Sequence, residues 1–375
     1  MSRPASRSVV ELCRDLVRIP SPSGEEGRIA AFVAETMEEI GLRVEVDRFG
    51  SVLGRRDGSR PGPTLLLDAH LDTVPVTDSA AWSHDPFGGE VSGGKLLGLG
   101  AADTKGSLAS MLCAAEALDG FAGTLLVSAS VGEEDLTTAA LGRILDRCPA
   151  DLVLVGEPTS LRLGVAQKGR AGLVVEAVGR SAHSSRPELG ENAVYRMMEA
   201  VARIRALPLP TDPELGRGVC ELIEIRSEPD PSPGMVPCRC VARFALRLLP
   251  GETAAGALER VAGAVAGVEG VSVNLARLSR RCATGEVLEM EEAIPGWRNA
   301  DVALEARLLA ALGTGRFAAP YTTNASAAAA RGIPTFLLGP GSIEAAHAVD
   351  ESIDVGELEA APGACVAAAR AFLGG

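Results

Sequence analysis

The sequence predicts an α/β protein in which a doubly wound mixed sheet forms one domain and a smaller ferredoxin-like βαββαβ domain is inserted into it. Two patterns predict this arrangement. Apolar runs alternate with helical segments over residues 1–169 and return in 287–375, whereas residues 170–286 follow the order strand, helix, two strands, helix, strand. The length of 375 residues is also more than one hydrophobic core usually organises.

The first domain is predicted from its alternating elements. Residues 23–26 fit a capping box that opens an amphipathic helix to about Ile40. The run at 64–69 is apolar throughout, as in a strand that is buried on both faces. The other predicted elements are helices at 105–118 and 138–147 and strands at 124–131, 152–155 and 334–338.

The inserted segment has its own pattern. Strands are predicted at 171–178, 220–225, 238–248 and 271–275, and helices at 191–207 and 253–265. Within 238–248, Phe244 and Leu246 alternate with Arg243 and Arg247, so one face of that strand is apolar and the other carries two arginines. This order is typical of a ferredoxin-like unit that closes on itself as an independent domain.

Charge and hydropathy exclude some classes of partner. The net charge is -13 and no run of Lys or Arg occurs, which argues against nucleic acid or an anionic membrane as a partner. No apolar run is long enough to cross a bilayer, and residues 1–8 are polar without an apolar segment behind them. We therefore expect a cytoplasmic protein.

Five short motifs carry candidate metal ligands. Four of them follow predicted strands or precede a predicted helix, and the fifth lies near the end of the chain. They are His70-Leu-Asp72, the stretch 100–106 with Asp103, Gly132-Glu133-Glu134, Gly156-Glu157-Pro158, and the stretch 346–351 with His347. The carboxyl ends of strands in an open α/β sheet line a crevice, and imidazole with carboxylate is a ligand set of divalent metals such as zinc.

Each motif also has an ordinary interpretation. Asp103 could cap the helix predicted from Lys105, and residues 156–158 could form a turn. The five motifs together, in this order and at strand ends, favour a metal site.

With these motifs the chain resembles a known family, the co-catalytic zinc amidohydrolases that include acetylornithine deacetylase, succinyl-diaminopimelate desuccinylase, aminoacylase and related carboxypeptidases and dipeptidases. The resemblance covers essentially the whole chain. The stretches 156–160, 167–170, 181–185 and 190–193 resemble most the branch of bacterial hydrolases linked with purine and selenium metabolism.

The resemblance implies a site with two divalent metal ions, with zinc expected first and cobalt or manganese as alternatives. His70, Asp103 and Glu157 would hold one ion, and Asp103, Glu134 and His347 would hold the other. A carboxylate shared in this way keeps two dications about 3.5–4 Å apart and offsets part of their repulsion.

Catalytic roles are implied for three further residues. Glu133 is expected to be the general base that takes a proton from water and returns it to the leaving nitrogen. Asp72 is expected to fix the tautomer of His70. His183, in the inserted domain, is expected to stabilise the oxyanion across a homodimer that forms through this lid.

Substrate contacts are predicted at Arg247, which resembles an arginine that clamps a carboxylate, with Arg243 on the same face as the competing interpretation. Asn324 and Gly341 lie in stretches that resemble substrate-binding loops. The family has an Asn just before the Val-Pro pair that leads into this strand, and here Met235 stands in its place.

These observations predict hydrolysis of an amide bond in a small molecule. The preferred hypothesis is removal of an acetyl or succinyl group from an N-acyl amino acid, and the alternative is a dipeptidase or carboxypeptidase. A metal-dependent binding protein without turnover is a more distant alternative, disfavoured because Glu133 is present. A serine or cysteine nucleophile is also disfavoured, because there is no GxSxG motif and no cysteine among the motifs.

Overall fold

The structure is a computed structural model that describes residues 7–230 and 233–374. Residues 1–6, which bear on the expectation that no secretory signal is present, lie outside them. Among the described residues, no helix combines the length and the apolar character needed to cross a membrane.

Helices and strands alternate along most of the chain. The helices are α1 (Val9–Val17), α2 (Gly27–Glu39), α3 (Gly106–Ala117), α4 (Glu133–Leu136), α5 (Ala139–Arg147), α6 (Ala193–Arg205), α7 (Ala254–Val265), α8 (Val302–Leu312), α9 (Ala325–Ala329) and α10 (Val355–Leu373). The strands are β1 (Arg43–Val46), β2 (Val52–Asp57), β3 (Arg60–His70), β4 (Glu90–Ser92), β5 (Lys95–Leu97), β6 (Ala122–Ser130), β7 (Leu152–Val155), β8 (Leu163–Gln167), β9 (Gly169–Val178), β10 (Thr211–Asp212), β11 (Gly216–Arg217), β12 (Val219–Glu228), β13 (Arg239–Leu248), β14 (Val271–Leu275), β15 (Arg277–Arg281), β16 (Val287–Glu291), β17 (Ala293–Ile294), β18 (Trp297–Arg298), β19 (Arg316–Ala319), β20 (Thr335–Leu337) and β21 (Ser352–Asp354).

The large sheet confirms the predicted mixed α/β domain. Its strands run in the order β1-β2-β6-β3-β7-β20-β8-β18, and β19 pairs with β8. The four central strands β6, β3, β7 and β20 are parallel to one another. Their apolar side chains are buried on both faces, in two core clusters. Because parallel strands end at the same edge, the segments that follow β3, β6, β7 and β20 meet there.

The inserted segment forms the ferredoxin-like unit that the sequence predicts. Its sheet has the order β12-β13-β9-β14, with β17 beside β9, and α6 and α7 pack on the sheet. When β9, β12, β13 and β14 are numbered 1 to 4 in chain order, the sheet order is 2-3-1-4, as expected for a βαββαβ fold. Ala242, Phe244 and Leu246 of β13 are buried in its core, which confirms the predicted apolar face. We call this unit the lid.

The predicted capping box at 23–26 is wrong, although the helix behind it is confirmed. Helix α2 starts at Gly27, and Glu26 precedes it without a side-chain cap hydrogen bond. Ser23 Oγ donates instead to Asp72 Oδ2 at 2.6 Å, and Glu26 Oε1 accepts the N–H of Gly132 at 3.0 Å. Both side chains therefore hold distant segments of the chain.

The hairpin of β15 and β16 follows the last lid strand and packs differently from it. Cys282 and Leu288 of this hairpin are buried in the core of the large domain, not in the core of the lid. The predicted lid boundary at residue 286 falls inside this hairpin. The core of the lid itself ends with β14, near Leu275.

Replacing Phe244 by Ala tests whether the lid core is needed for stability. The ring is among the largest fully buried side chains, so its removal should lower the free energy of unfolding by about 3–5 kcal/mol. Urea denaturation followed by circular dichroism measures the change, and Val302→Ala, at an exposed position, serves as the control. A loss below about 1 kcal/mol would show that the lid tolerates the cavity.

Candidate metal centre

The first histidine of the centre lies at the end of β3. His70 is buried, and its Nε2 lies 3.0 Å from Asp103 Oδ1. Its Nδ1 lies 2.8 Å from the main-chain oxygen of Asp72 and 3.5 Å from the Oδ1 atom of the same residue. An Nδ1–H that donates to this main-chain oxygen leaves Nε2 free to bind a cation.

The second histidine approaches from the opposite end of the chain. His347 Nε2 lies 3.0 Å from Glu134 Oε2 and 3.4 Å from Asp103 Oδ2. The Asp103 carboxylate therefore presents one oxygen to each histidine. This is the arrangement required of a group that bridges two cations.

The loop that carries Asp103 is held by a buried carboxylate. Glu351 accepts hydrogen bonds from the N–H groups of Gly100, Ala102 and Asp103 at 2.9–3.1 Å. The alternative interpretation of Asp103 as a helix cap is wrong, because α3 has no side-chain cap hydrogen bond at its start. Glu351 lies within the motif at 346–351, but the motif alone gives no sign of this structural role.

Glu133 and Glu134 begin the short helix α4, directly after β6. Gly132 adopts φ +68°, a left-handed conformation that suits glycine, at this turn. The N–H groups of Glu133 and Glu134 donate to the two carboxylate oxygens of Asp72 at 2.9 and 3.0 Å. Asp72 therefore links the first histidine to the two glutamates, in addition to its predicted contact with His70.

Glu133 and Glu157 are buried acids in the same crevice. Glu157 follows β7, and burial raises the pKa of its carboxyl well above the ordinary value, with the charges of Asp103 and Glu133 adding to the effect. Burial also raises the pKa of Glu133 to about 8. Oε1 of Glu133 is inaccessible to solvent and has no hydrogen-bond partner among the described residues.

The donor set fits divalent cations. Ligand atoms of His70, Asp103 and Glu134 lie within 4.8 Å of one another. Glu157 and His347 complete a cluster of imidazoles and carboxylates, the ligands that zinc and similar metals accept in proteins. Within residues 7–230 and 233–374, the ion pairs of Asp103 and Glu134 are made with histidine alone. A group of buried carboxylates with so few cationic partners is suited to bind metal ions.

The residues predicted to contact substrate lie in three different surroundings. Arg247 of β13 points from the lid to the large domain, where its Nη1 lies 3.4 Å from Thr322 Oγ1. Gly341 adopts φ +88° and packs against Ala102, in the loop that carries Asp103. Asn324 is buried and its amide is already hydrogen-bonded within the large domain, so any contact with substrate stays a prediction. The partners of Asn324 are Asp68, Ser130 and the N–H of Thr138.

His183 lies apart from the other predicted catalytic residues. It is exposed in a lid loop, and its Nδ1 lies 2.8 Å from Ser185 Oγ. This position is compatible with a role toward a second copy of the chain, which stays a prediction.

Comparison with known proteins supports the resemblance. The model of peptidase family M20/M25/M40 matches residues 66–371. The acetylornithine deacetylase of Proteus mirabilis is 31% identical over 390 residues, covering 93% of this chain and 93% of that protein. The uncharacterized protein YgeY of Escherichia coli K12 is 32% identical over 358 residues, covering 90% of this chain and 88% of that protein.

A solved structure shows the same fold. The M20 family metallo-carboxypeptidase Sso-CP2 from Sulfolobus solfataricus superposes with a TM-score of 0.75 at 17% identity, covering 98% of this chain and 99% of that one. The predicted fold class is thereby confirmed. The narrower resemblance to hydrolases of purine and selenium metabolism stays a prediction.

Replacing Asp72 by Asn tests the link between the histidine and the glutamates. Asn offers one acceptor oxygen where two N–H groups need acceptors, so we expect zinc affinity to fall by about 10- to 100-fold. Titration against a competing chelator measures the dissociation constant. Asp119→Asn, at an exposed loop position, is the control, and unchanged affinity in Asp72→Asn would contradict the assigned role.

Proposed function

The chain belongs to peptidase family M20/M25/M40 and is therefore a hydrolytic enzyme, and we propose that it is a two-metal deacylase that removes an acetyl or succinyl group from an amino acid. One observation supports this proposal above the others. The Asp103 carboxylate lies between two histidines, and beside it the buried carboxylate of Glu133 keeps one oxygen without a partner among the described residues.

Five residues would hold the ions, in the two sets that share Asp103: His70 and Glu157 on one side, Glu134 and His347 on the other. Zinc is the proposed metal, with cobalt and manganese as alternatives. When bound, the two ions would polarise the amide carbonyl and make the attacking water more acidic, with a pKa near ~7.

Glu133 is proposed to move the proton. Its backbone is fixed by Asp72 and its side chain is buried, so the carboxylate has little freedom to turn away from the crevice. A buried carboxylate with one oxygen unpartnered among the described residues can accept a proton from water and then donate it to the leaving nitrogen. The products are a carboxylic acid and an amine.

Arg247 is proposed to bind the carboxylate of the substrate. Arg243, its competitor on the same strand, lies 3.6 Å from Glu292 and 4.0 Å from Glu224, so it already has acidic partners. Arg247 forms no such ion pair among the described residues, and its side chain is partly buried beside Thr322. A guanidinium that has no acidic partner among the described residues can make a bidentate contact with the carboxylate of a substrate.

A homodimer through the lid is proposed from an exposed apolar face. Tyr195 and Met198 of α6 are 70% and 61% exposed, and Ile223 of the neighbouring strand β12 is 59% exposed. β12 is also an edge strand, and an apolar edge of this kind is protected in most proteins by pairing or covering. In such a dimer His183 of one copy is proposed to stabilise the oxyanion in the site of the other.

A dipeptidase or carboxypeptidase is the second candidate, since the family to which the chain belongs is one of peptidases. A binding protein without turnover is disfavoured, since Glu133 and all five proposed ligand residues are present. Cytoplasmic location stays a prediction.

A substrate screen tests the proposed activity. We expect the metal-loaded protein to hydrolyse N-acetyl or N-succinyl amino acids faster than dipeptides, and to lose rate when the carboxylate of the substrate is converted to an amide. Glu133→Gln should keep its metal content while kcat falls by about 10²- to 10⁴-fold. Faster cleavage of dipeptides would favour the second candidate, and loss of metal from Glu133→Gln would make Glu133 a ligand.

A mixed dimer tests the role of His183. His183→Ala should lower kcat by about 10²- to 10³-fold, as for the loss of one oxyanion donor, with little change in KM. His183→Ala chains are then combined with Asp103→Ala chains, and the heterodimer is purified through two different tags. This heterodimer should have one active site, because the intact His183 of the Asp103→Ala chain completes the site of the other chain. Each variant alone stays slow as the control. No recovery would show that His183 does not act across the dimer.

A further inference from the structure

Tyr321 carries a buried hydroxyl that the proposed mechanism leaves unused. It lies in the loop between β19 and α9, and its ring is 6.4 Å from that of Phe317, centroid to centroid. The hydroxyl oxygen is inaccessible to solvent, and no hydrogen-bond partner lies within reach among the residues that the structure describes. Buried phenol groups are normally hydrogen-bonded, so this one points to a partner outside the chain.

The hydroxyl is under the electrostatic influence of the acidic cluster. Burial raises its pKa, and the negative charges of Glu157 and Asp103 raise it further, with a smaller contribution from Glu133. Tyr321 therefore stays protonated and can donate a hydrogen bond. The carboxylates around it are acceptors when ionised.

The loop of Tyr321 also connects the metal centre to the proposed carboxylate clamp. The next residue, Thr322, donates to the main-chain oxygen of Lys168 at 2.9 Å, and its Oγ1 lies 3.4 Å from Arg247 Nη1. A substrate whose amide lies at the acidic cluster and whose carboxylate reaches Arg247 must pass this loop. The buried hydroxyl belongs to the residue directly before Thr322, on the same loop.

We propose that the Tyr321 hydroxyl donates a hydrogen bond to the acyl oxygen of the substrate as the carbonyl carbon becomes tetrahedral. This inference rests on the proposed amide hydrolysis at the same site. Negative charge develops on the acyl oxygen, and a fixed donor stabilises that charge more than it stabilises the neutral carbonyl. The phenol keeps its proton throughout, because the proton of the attacking water moves through Glu133 to the leaving nitrogen.

Tyr321→Phe tests the proposal, since the ring and its packing beside Phe317 are kept. We expect kcat on the best substrate of the screen to fall by about 10- to 100-fold, the effect of losing one hydrogen bond to a charged oxygen, while KM changes by less than about threefold. Metal content and thermal stability should match the wild type. Ser92→Ala, which removes an exposed hydroxyl in the hairpin of β4 and β5, is the control.

A binding measurement supplies a readout that does not need turnover. Butylboronic acid forms a tetrahedral anion, so its affinity, measured by isothermal titration calorimetry, should weaken in Tyr321→Phe by a factor similar to that in kcat. In a Glu133→Gln background, the affinity for the uncleaved N-acyl amino acid should change by less than about threefold, since the neutral carbonyl gains less from the donor.

Two results would overturn the proposal. If kcat and the boronic acid affinity are both unchanged, the hydroxyl has no part in stabilising the oxyanion. If KM rises while kcat is unchanged, the hydroxyl binds another part of the substrate. Failure of the proposed function would give a different result from failure of this proposal. The wild type would then cleave no compound of the screen, while the boronic acid titration would still compare Tyr321→Phe with its control variant.

Discussion

The burial of several carboxylates at one edge of four parallel strands is the constraint on which the rest of this structure depends. Charged oxygens in a crevice with little solvent are unfavourable unless cations or hydrogen-bond donors compensate them. The two histidines supply part of that compensation, and burial still raises the pKa of Glu133 and Glu157. Divalent cations would supply the remainder, so the same burial that makes these charges unfavourable suits the crevice to bind metal ions.

Three further buried acids fix the segments that carry the proposed metal ligands and the proposed base. Asp72, Glu26 and Glu351 accept hydrogen bonds from backbone N–H groups of the loops that carry the proposed ligands and base. Each of them is buried, and the bonds span large separations in sequence. The positions of the ligand side chains therefore follow from the packing of the protein itself, which is the preorganisation that electrostatic catalysis needs.

The two domains carry different chemical groups for the proposed site. The large domain carries mostly acceptors, which suit cations and proton transfer, whereas the lid carries Arg247, the proposed carboxylate clamp, and His183, the proposed oxyanion donor. Tyr321 is a neutral donor on the large domain, on the loop that contacts Arg247 through Thr322. A substrate with an amide and a carboxylate a few bonds apart matches this distribution of acceptors and donors.

The sequence by itself determined the class of fold, the alternation of buried positions in β13, and which acidic and histidine side chains follow the strands, because these depend on local periodicity and on where apolar runs stop. The roles of these side chains as metal ligands were implied by the family resemblance. Only the tertiary structure decided that Ser23 and Glu26 hold Asp72 and Gly132 rather than cap a helix, that Glu351 holds the loop of Asp103, and that the hydroxyl of Tyr321 is buried without a partner among the described residues. The physical reason is that a carboxylate or hydroxyl makes the same bond to a neighbouring N–H as to a distant one. The choice between them depends on which segments the packed core brings together.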